Sequence, residues 1–377
     1  MKICFVVNDC NFFYTHRFAL AKKLTTAAEV YVITDIDHTD SKVLKSIRSS
    51  EIKIFPIKKR NNNKKFFGLF AYLFRLLKTI NKVNPQNIFF VTLEISLMGA
   101  ILNFLNPRYN SYYLITGFGP FFFKRNLKNK ILYLINKVIF LALSKKRNNK
   151  FIFQNQEDKD IFINEKIAIN SNSILIPGSG VEIDKIKFLK RTYNKKISFL
   201  IAARLVKSKG IKEFVYAAKL IKSKYPSAIF NIAGEYNPND PDRITKELFF
   251  EIKNSNAVNY LGNIPHHRMQ EVYLNSDIFV LPSYGEGLPK AALEAAASGM
   301  PLILSKASGC KECLDNEVNG LLVEIADVDN LKIAIEKMLL DRKLISEMST
   351  ASRKKINMKF SINKILNYYK NLLALAE

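Results

Sequence analysis

The chain has no tryptophan and, across 377 residues, only four cysteines and four histidines. So few thiols argue against a disulfide framework. Two of them, Cys310 and Cys313, form a lone C-x-x-C. Without a second pair this is a weak zinc signal, and it reads as reduced thiols in a loop after a strand. Long apolar runs are also missing. No window reaches ~18 uninterrupted apolar residues, which argues against a spanning helix. Ile3–Val7 is too short for a secretory leader and fits an opening strand. The expected location is the cytoplasm, peripheral on the inner face of the cell membrane. Acidic side chains are scarce in one region above all: residues 51–150 hold 19 Lys and Arg against two Asp and Glu.

An apolar content of 48% suffices for full cores and excludes a disordered chain. The length fits two domains. The net charge of +25 is uneven, with 31 basic against 13 acidic residues in 1–190 and 27 against 20 in the remainder. A one-sided field of this kind implies a polyanionic neighbour: nucleic acid, anionic lipid or a phosphate-bearing substrate.

Short apolar runs alternate with helix-length segments along the whole chain. Strands are expected at Ile3–Val7, Val30–Thr34, Ile52–Ile57, Ile88–Val91, Tyr112–Ile115, Phe151–Phe153 and Ile174–Ile176. A second set follows at Ile197–Ala202, Ala228–Ala233, Val258–Leu261, Ile278–Leu281, Pro301–Leu304 and Gly320–Val323. Fully apolar strands spaced by helices imply parallel sheets covered on both faces. Two such sets give an α/β chain of two doubly wound, Rossmann-like domains, 1–180 and 181–355. A C-terminal helix over 356–377 follows, with its packing unassigned. Two segments in the basic region stand apart. Lys64–Val83 sets Phe66, Phe67, Phe70 and Phe74 among cations, and Lys130–Lys146 interleaves Tyr133, Ile139, Phe140 and Leu141 with Lys137. Both suit an anionic membrane interface, or are covering helices with one core face and solvated lysines.

The chemistry concentrates in Asp277–Glu294, DIFVLPSYGEGLPKAALE. It reads as a buried strand, a glycine-bearing loop and a small-residue helix with Pro289 in its first turn. Backbone N–H groups at such a junction hold phosphate. Carboxylates beside them accept from neutral hydroxyls. Glu286 and Glu294 are eight residues apart, which on one helix leaves ~80° between side chains. Glu286 is therefore placed in the loop and Glu294 inside the helix. A second constellation, Ile201–Gly210 or IAARLVKSKG, places Arg204 and Lys209 between a strand and a helix that begins near Ile211. A guanidinium fork and an ammonium point charge together suit a diphosphate. Phosphate donors next to hydroxyl acceptors describe a nucleotide-sugar site.

The pattern Arg204, Lys209, Glu286-x7-Glu294, with GEGLPKAALEAAASGMP, resembles the retaining GT-B glycosyltransferases of family 4. The likeness covers nearly the whole chain and is strongest over Ile197–Val323. The opening MKICFVVNDCNFFYTHRFALAKKL and the later LITGFGPFF resemble a bacterial subgroup that extends undecaprenyl-diphosphate-linked saccharides with N-acetylgalactosaminyl or related sugars from UDP. The resemblance implies two domains facing a central cleft. Arg204 and Lys209 would hold the donor diphosphate and Glu294 the ribose hydroxyls. Glu286 would meet the sugar, with Gly285, Gly287 and Leu288 around it, and the loop of Gly262 and Ile264 would lie near the base. Asn8, Asn11, His16, Arg17, Gly117 and Gly119 would line the acceptor side. The implied partners are a nucleotide sugar, a lipid-linked saccharide and an anionic membrane, with no nucleic acid. No cofactor is implied beyond the UDP-sugar itself.

Two departures from the family pattern matter. The loop after the first strand reads NDCNFF, without the glycine pair of many relatives, and VTLEISL offers Glu94 where a histidine is common. His16 stands in as a polar, catalytic group facing the sugar, or is a structural histidine at the start of the first helix. Two D-x-D strings, Asp35-Ile36-Asp37 and Asp240-Pro241-Asp242, invite a metal, but where Arg204 and Lys209 supply positive charge none is required. The competing classes are a basic nucleic-acid-binding protein, which lacks an aromatic RNA-binding signature, and a non-catalytic nucleotide-sugar-binding partner.

Overall fold

A computed structural model describes residues 1–58, 65–105, 107–117, 127–191 and 196–375. The chain divides into two compact units, Met1–Gly180 with Ile362–Glu377, and Val181–Ser361.

The first unit is built on seven strands: β1 (Lys2–Val6), β2 (Glu29–Thr34), β3 (Lys53–Pro56), β4 (Asn87–Val91), β5 (Asn110–Ile115), β6 (Asn149–Phe153) and β7 (Ser173–Leu175). They pair in the order β3-β2-β1-β4-β5-β6-β7, every pair parallel. Apolar side chains fill both faces of the sheet, giving one buried cluster on each side. This is why the strands read as continuous apolar runs rather than alternating ones.

The second unit repeats the plan with six strands: β8 (Ser198–Ala202), β9 (Ile229–Ala233), β10 (Asn259–Gly262), β11 (Ile278–Leu281), β12 (Leu302–Ser305) and β13 (Gly320–Val323). Their order is β10-β9-β8-β11-β12-β13, again all parallel. The order reverses between β8 and β11, and the crevice outside the carboxyl ends at such a reversal is where doubly wound folds place ligands.

Three sequence expectations change. The C-terminal segment is not one helix from 356. A helix Arg342–Lys359 buries Ile356, and Phe360 follows it into the second core, so that unit continues past 355 to Ser361. The chain then breaks and a new helix, Ile362–Leu373, returns to the first unit, burying Ile362, Ile365, Tyr369 and Leu373 at helical spacing. Cys310 and Cys313 lie in a short helix, Ser308–Cys313, not in a loop. Both are buried, and burial pushes both thiols up.

Candidate functional site

The segments leaving β8 and β11 are stitched to each other. The Ser208 carbonyl accepts from the Tyr284 amide at 2.8 Å and lies 2.8 Å from the Ser283 hydroxyl. Gly210 has φ +70°, and a Cβ there would lie 2.2 Å from the Pro282 carbonyl oxygen, so only glycine allows the two loops this close. The approach brings Lys209, in the 3-10 turn Lys207–Lys209, onto Glu286, and Lys209 Nζ pairs directly with Glu286 Oε1. Ser283 Oγ is 3.0 Å from the same carboxylate oxygen, so its single proton has competing acceptors. The Glu286 carbonyl accepts from Gly309 N at 3.0 Å and from Ser308 Oγ at 3.2 Å. Gly309 is needed here, because a Cβ would come within 2.2 Å of the Gly287 carbonyl. Around the pair, Gly287 is buried and Leu288 packs on the core. Gly285 borders open space.

Glu294 lies inside the helix Lys290–Ala297, with Pro289 at its N-cap, one position before the first turn. Only 8% exposed, it has partners distinct from those of Glu286. Oε1 is 3.0 Å from His266 Nε2 and 3.8 Å from Lys290 Nζ, and Oε2 accepts from the Tyr273 hydroxyl at 3.5 Å. Burial and the adjacent carboxylate push Tyr273 well up, so it stays a donor. His266 is carried by the loop that follows Gly262, whose φ is +79° and whose carbonyl accepts from Gly234 N at 2.8 Å. Ile264 anchors that loop on the core.

Arg204 follows β8 and is exposed, its Nη1 2.7 Å from Asp240 Oδ2. Asp242 Oδ2 accepts from Ser208 N at 3.2 Å and from Ser208 Oγ. The second D-x-D string therefore serves the cation segment. In the first string, Asp35 Oδ1 accepts from Asp37 N at 2.8 Å in the turn after β2. Among the described residues no group of three or more His, Cys, Asp or Glu is arranged to hold a metal ion. Sequence reasoning gave no role to Ser208 or Ser283 and read Asp240 only as part of a metal-like string, because their partners come from segments after other strands. Nor did it find Tyr284, which donates to Glu213 Oε1 at 2.7 Å and is pushed up to about 12 by burial and that acceptor.

The expected acceptor residues belong to the first unit. Asn8 and Asp9 follow β1, and Asp9 Oδ1 caps the helix Cys10–His16 through Phe12 N at 2.8 Å. Asn11 is exposed, with Nδ2 3.4 Å from the His38 carbonyl. His16 ends that helix instead of starting it; its Nδ1 is 2.7 Å from Thr15 Oγ1, and its ring stacks on Phe12 at 4.2 Å. Arg17 does not line an acceptor surface. It is 2% exposed, next to Tyr369 of the returning helix, and burial lowers its pKa. Gly117 has φ +122°, and Gly119 lies outside the described residues.

Two doubly wound parallel units, with cation–carboxylate pairs at the second sheet's reversal point, define a glycosyltransferase of the GT-B fold. The chain belongs to the family Glycosyl transferases group 1, which matches residues 182–355. It is 30% identical over 362 residues to the N,N'-diacetylbacillosaminyl-diphospho-undecaprenol alpha-1,3-N-acetylgalactosaminyltransferase of Campylobacter jejuni, covering 91% of each chain. It is 27% identical to the capsular polysaccharide biosynthesis glycosyltransferase CapM of Staphylococcus aureus, over 86% of this chain and 84% of that one. A UDP-Gal:alpha-D-GlcNAc-diphosphoundecaprenol alpha-1,3-galactosyltransferase of Escherichia coli is 29% identical over 65% of each. Among solved structures, Anabaena Alr3699/HepE in complex with UDP-glucose superposes with a TM-score of 0.78 at 18% identity, over 99% of both chains, a likeness of fold.

Proposed function

We propose that the protein is a retaining glycosyltransferase that moves a hexose or N-acetylhexosamine, of the GalNAc type, from a UDP-sugar to an undecaprenyl-diphosphate-linked saccharide in surface-glycan assembly. The observation that carries this reading is the Lys209–Glu286 pair, held at the reversal point between β8 and β11 within reach of Arg204's segment. Lys209 and Arg204 bind the diphosphate and neutralise the charge that develops on departing UDP. Once phosphate claims Lys209, the Glu286 carboxylate is released to accept from sugar hydroxyls. Glu294, oriented by His266 and Tyr273, accepts from the ribose. The acceptor class is supported by the names of the Campylobacter and Escherichia relatives. In this reading Lys209 and Arg204 supply the positive charge at the leaving group, in place of a metal. Assaying a panel of nucleotide sugars on lipid-linked acceptors tests the reading. Turnover is expected with a UDP-sugar and is expected to persist in EDTA; binding of UDP without transfer to any lipid-linked saccharide would contradict it.

The acceptor is a lipid, and the first unit carries a surface suited to reach one. The helices Lys65–Val83, Leu93–Leu105 and Leu127–Ser144 pack into one buried cluster on the same sheet face. Phe70, Phe74, Phe104, Leu134, Ile135 and Val138 nevertheless remain exposed on these helices. Phe70 and Phe74 are one turn apart, with Arg75 and Lys78 exposed on the same helix. Lys146 lies 5.5 Å from the Phe104 ring centroid. Apolar side chains rimmed by cations fit the surface of an anionic bilayer. Among the described residues no helix is long and apolar enough to cross one. The side chains of Phe66 and Phe67 lie outside the described residues.

A further inference from the structure

The loop after β9 runs back along the segment that separates Arg204 from Lys209. Ile244 N donates to the Leu205 carbonyl at 3.1 Å, Lys207 N donates to the Asp242 carbonyl at 2.7 Å, and Val206 and Arg243 form an antiparallel bridge. This strap fixes Asp240 firmly. Its Oδ1 accepts from Asp242 N at 2.9 Å and its carbonyl from Arg243 N at 3.1 Å and Arg243 Nη1 at 3.2 Å. The Asp240 side chain is 15% exposed, whereas that of its partner Arg204 is 66% exposed. An anchored acid thus holds a solvated cation. Exposed ion pairs contribute little to stability, so the fold does not depend on this one.

We propose that Asp240 is the resident counter-ion of Arg204, displaced by the donor's diphosphate, and that it sets how tightly nucleotide is held and how readily it leaves. The inference rests on the donor-site reading above. A carboxylate and a phosphate oxygen compete for the same guanidinium fork. With the empty site, Asp240 keeps Arg204 at the end of β8. With nucleotide bound, the anchored carboxylate is a like charge beside the diphosphate and opposes it. Asp242 has the complementary task, since its bonds to Ser208 shape the turn from which Lys209 projects. The Asp240-Pro241-Asp242 string is then a positioning device for two cations, and Asp240 never touches the reacting atoms.

The test compares UDP with uridine, which lacks phosphate, by calorimetry on the full chain. Asp240→Asn keeps the acceptor for Asp242 N and removes only the charge. UDP affinity is expected to rise roughly two- to five-fold, the scale of an exposed ion pair. Uridine affinity should not move, and the gain should shrink as salt is raised. Should Asp240→Asn lower the unfolding midpoint, Asp240→Ser, whose hydroxyl also accepts from the second amide along, is read in the same way. Unchanged or weakened UDP binding overturns the proposal, as does an equal shift for uridine. Arg204→Gln separates the two levels. If it weakens UDP while Asp240→Asn does nothing, only the counter-ion role falls. If neither substitution affects UDP, the donor-site reading falls with it.

Discussion

The two sheets reverse in the same way but present different chemistry at the reversal. In the second unit the segments after β8 and β11 carry Lys209 and Glu286, paired, with Arg204 and Asp240 beside them. In the first unit, residues 7–9 after β1 and 92–94 after β4 carry no cation: Asn8 and Thr92 are neutral, Asp9 caps a helix and Glu94 is exposed. Thr92 has φ +80°, an outlier for a β-branched residue, and its hydroxyl is buried without a hydrogen-bond partner among the described residues. One doubly wound plan thus supports one end where cations pair with carboxylates and another without cations, where Thr92 is strained. The fold fixes where a ligand sits, and the loop residues decide which ligand.

Substitutions in the two units should therefore separate cleanly. Lys209→Ala removes the cation paired with Glu286 and strands that carboxylate; turnover should fall roughly 100- to 1,000-fold, measured as UDP release. Arg204→Ala, on a more exposed contact, should lower turnover roughly 10- to 100-fold with an unchanged unfolding midpoint. Normal turnover in either variant would remove that residue from the donor site. Glu294→Ala should weaken UDP binding roughly ten-fold in a calorimetric titration. Asn11→Ala, in the first unit, should leave that constant where it was, and a matching loss there would erase the contrast between the units. The smallest effect belongs to the exposed apolar and basic surface of the first unit. Arg75→Gln and Lys78→Gln should each cost about 1 kcal/mol of binding to anionic vesicles and none of the UDP affinity. Vesicle binding that ignores both changes would count against that surface.

Much of this was legible in the residue order. All thirteen strands of the described residues could be placed. The central ones are buried on both faces and read as unbroken apolar runs, as in Ile278–Leu281, while the edge strands β3 and β10 are partly exposed and stood out by their place in the alternation. The split of Glu286 to a loop and Glu294 to a helix followed from glycine and proline on one side and alanine on the other. What stayed hidden depended on contacts between distant segments. Lys209 and Glu286 are 77 residues apart, and nothing local announces that they touch. Arg17 was expected on the acceptor side, yet it is buried. Its burial involves the returning helix Ile362–Leu373, whose packing partner the sequence does not reveal. Asp240 and Asp242 resembled metal ligands by spacing alone, and only their bonds to Arg204 and Ser208 show what they hold.

A crystal structure grown with UDP bears most directly on the account. The diphosphate should lie within hydrogen-bond distance of Lys209 Nζ, with the Arg204 guanidinium turned from Asp240 toward it and a ribose hydroxyl on Glu294. Nucleotide bound anywhere else, with the Lys209–Glu286 and Arg204–Asp240 pairs intact, would contradict it.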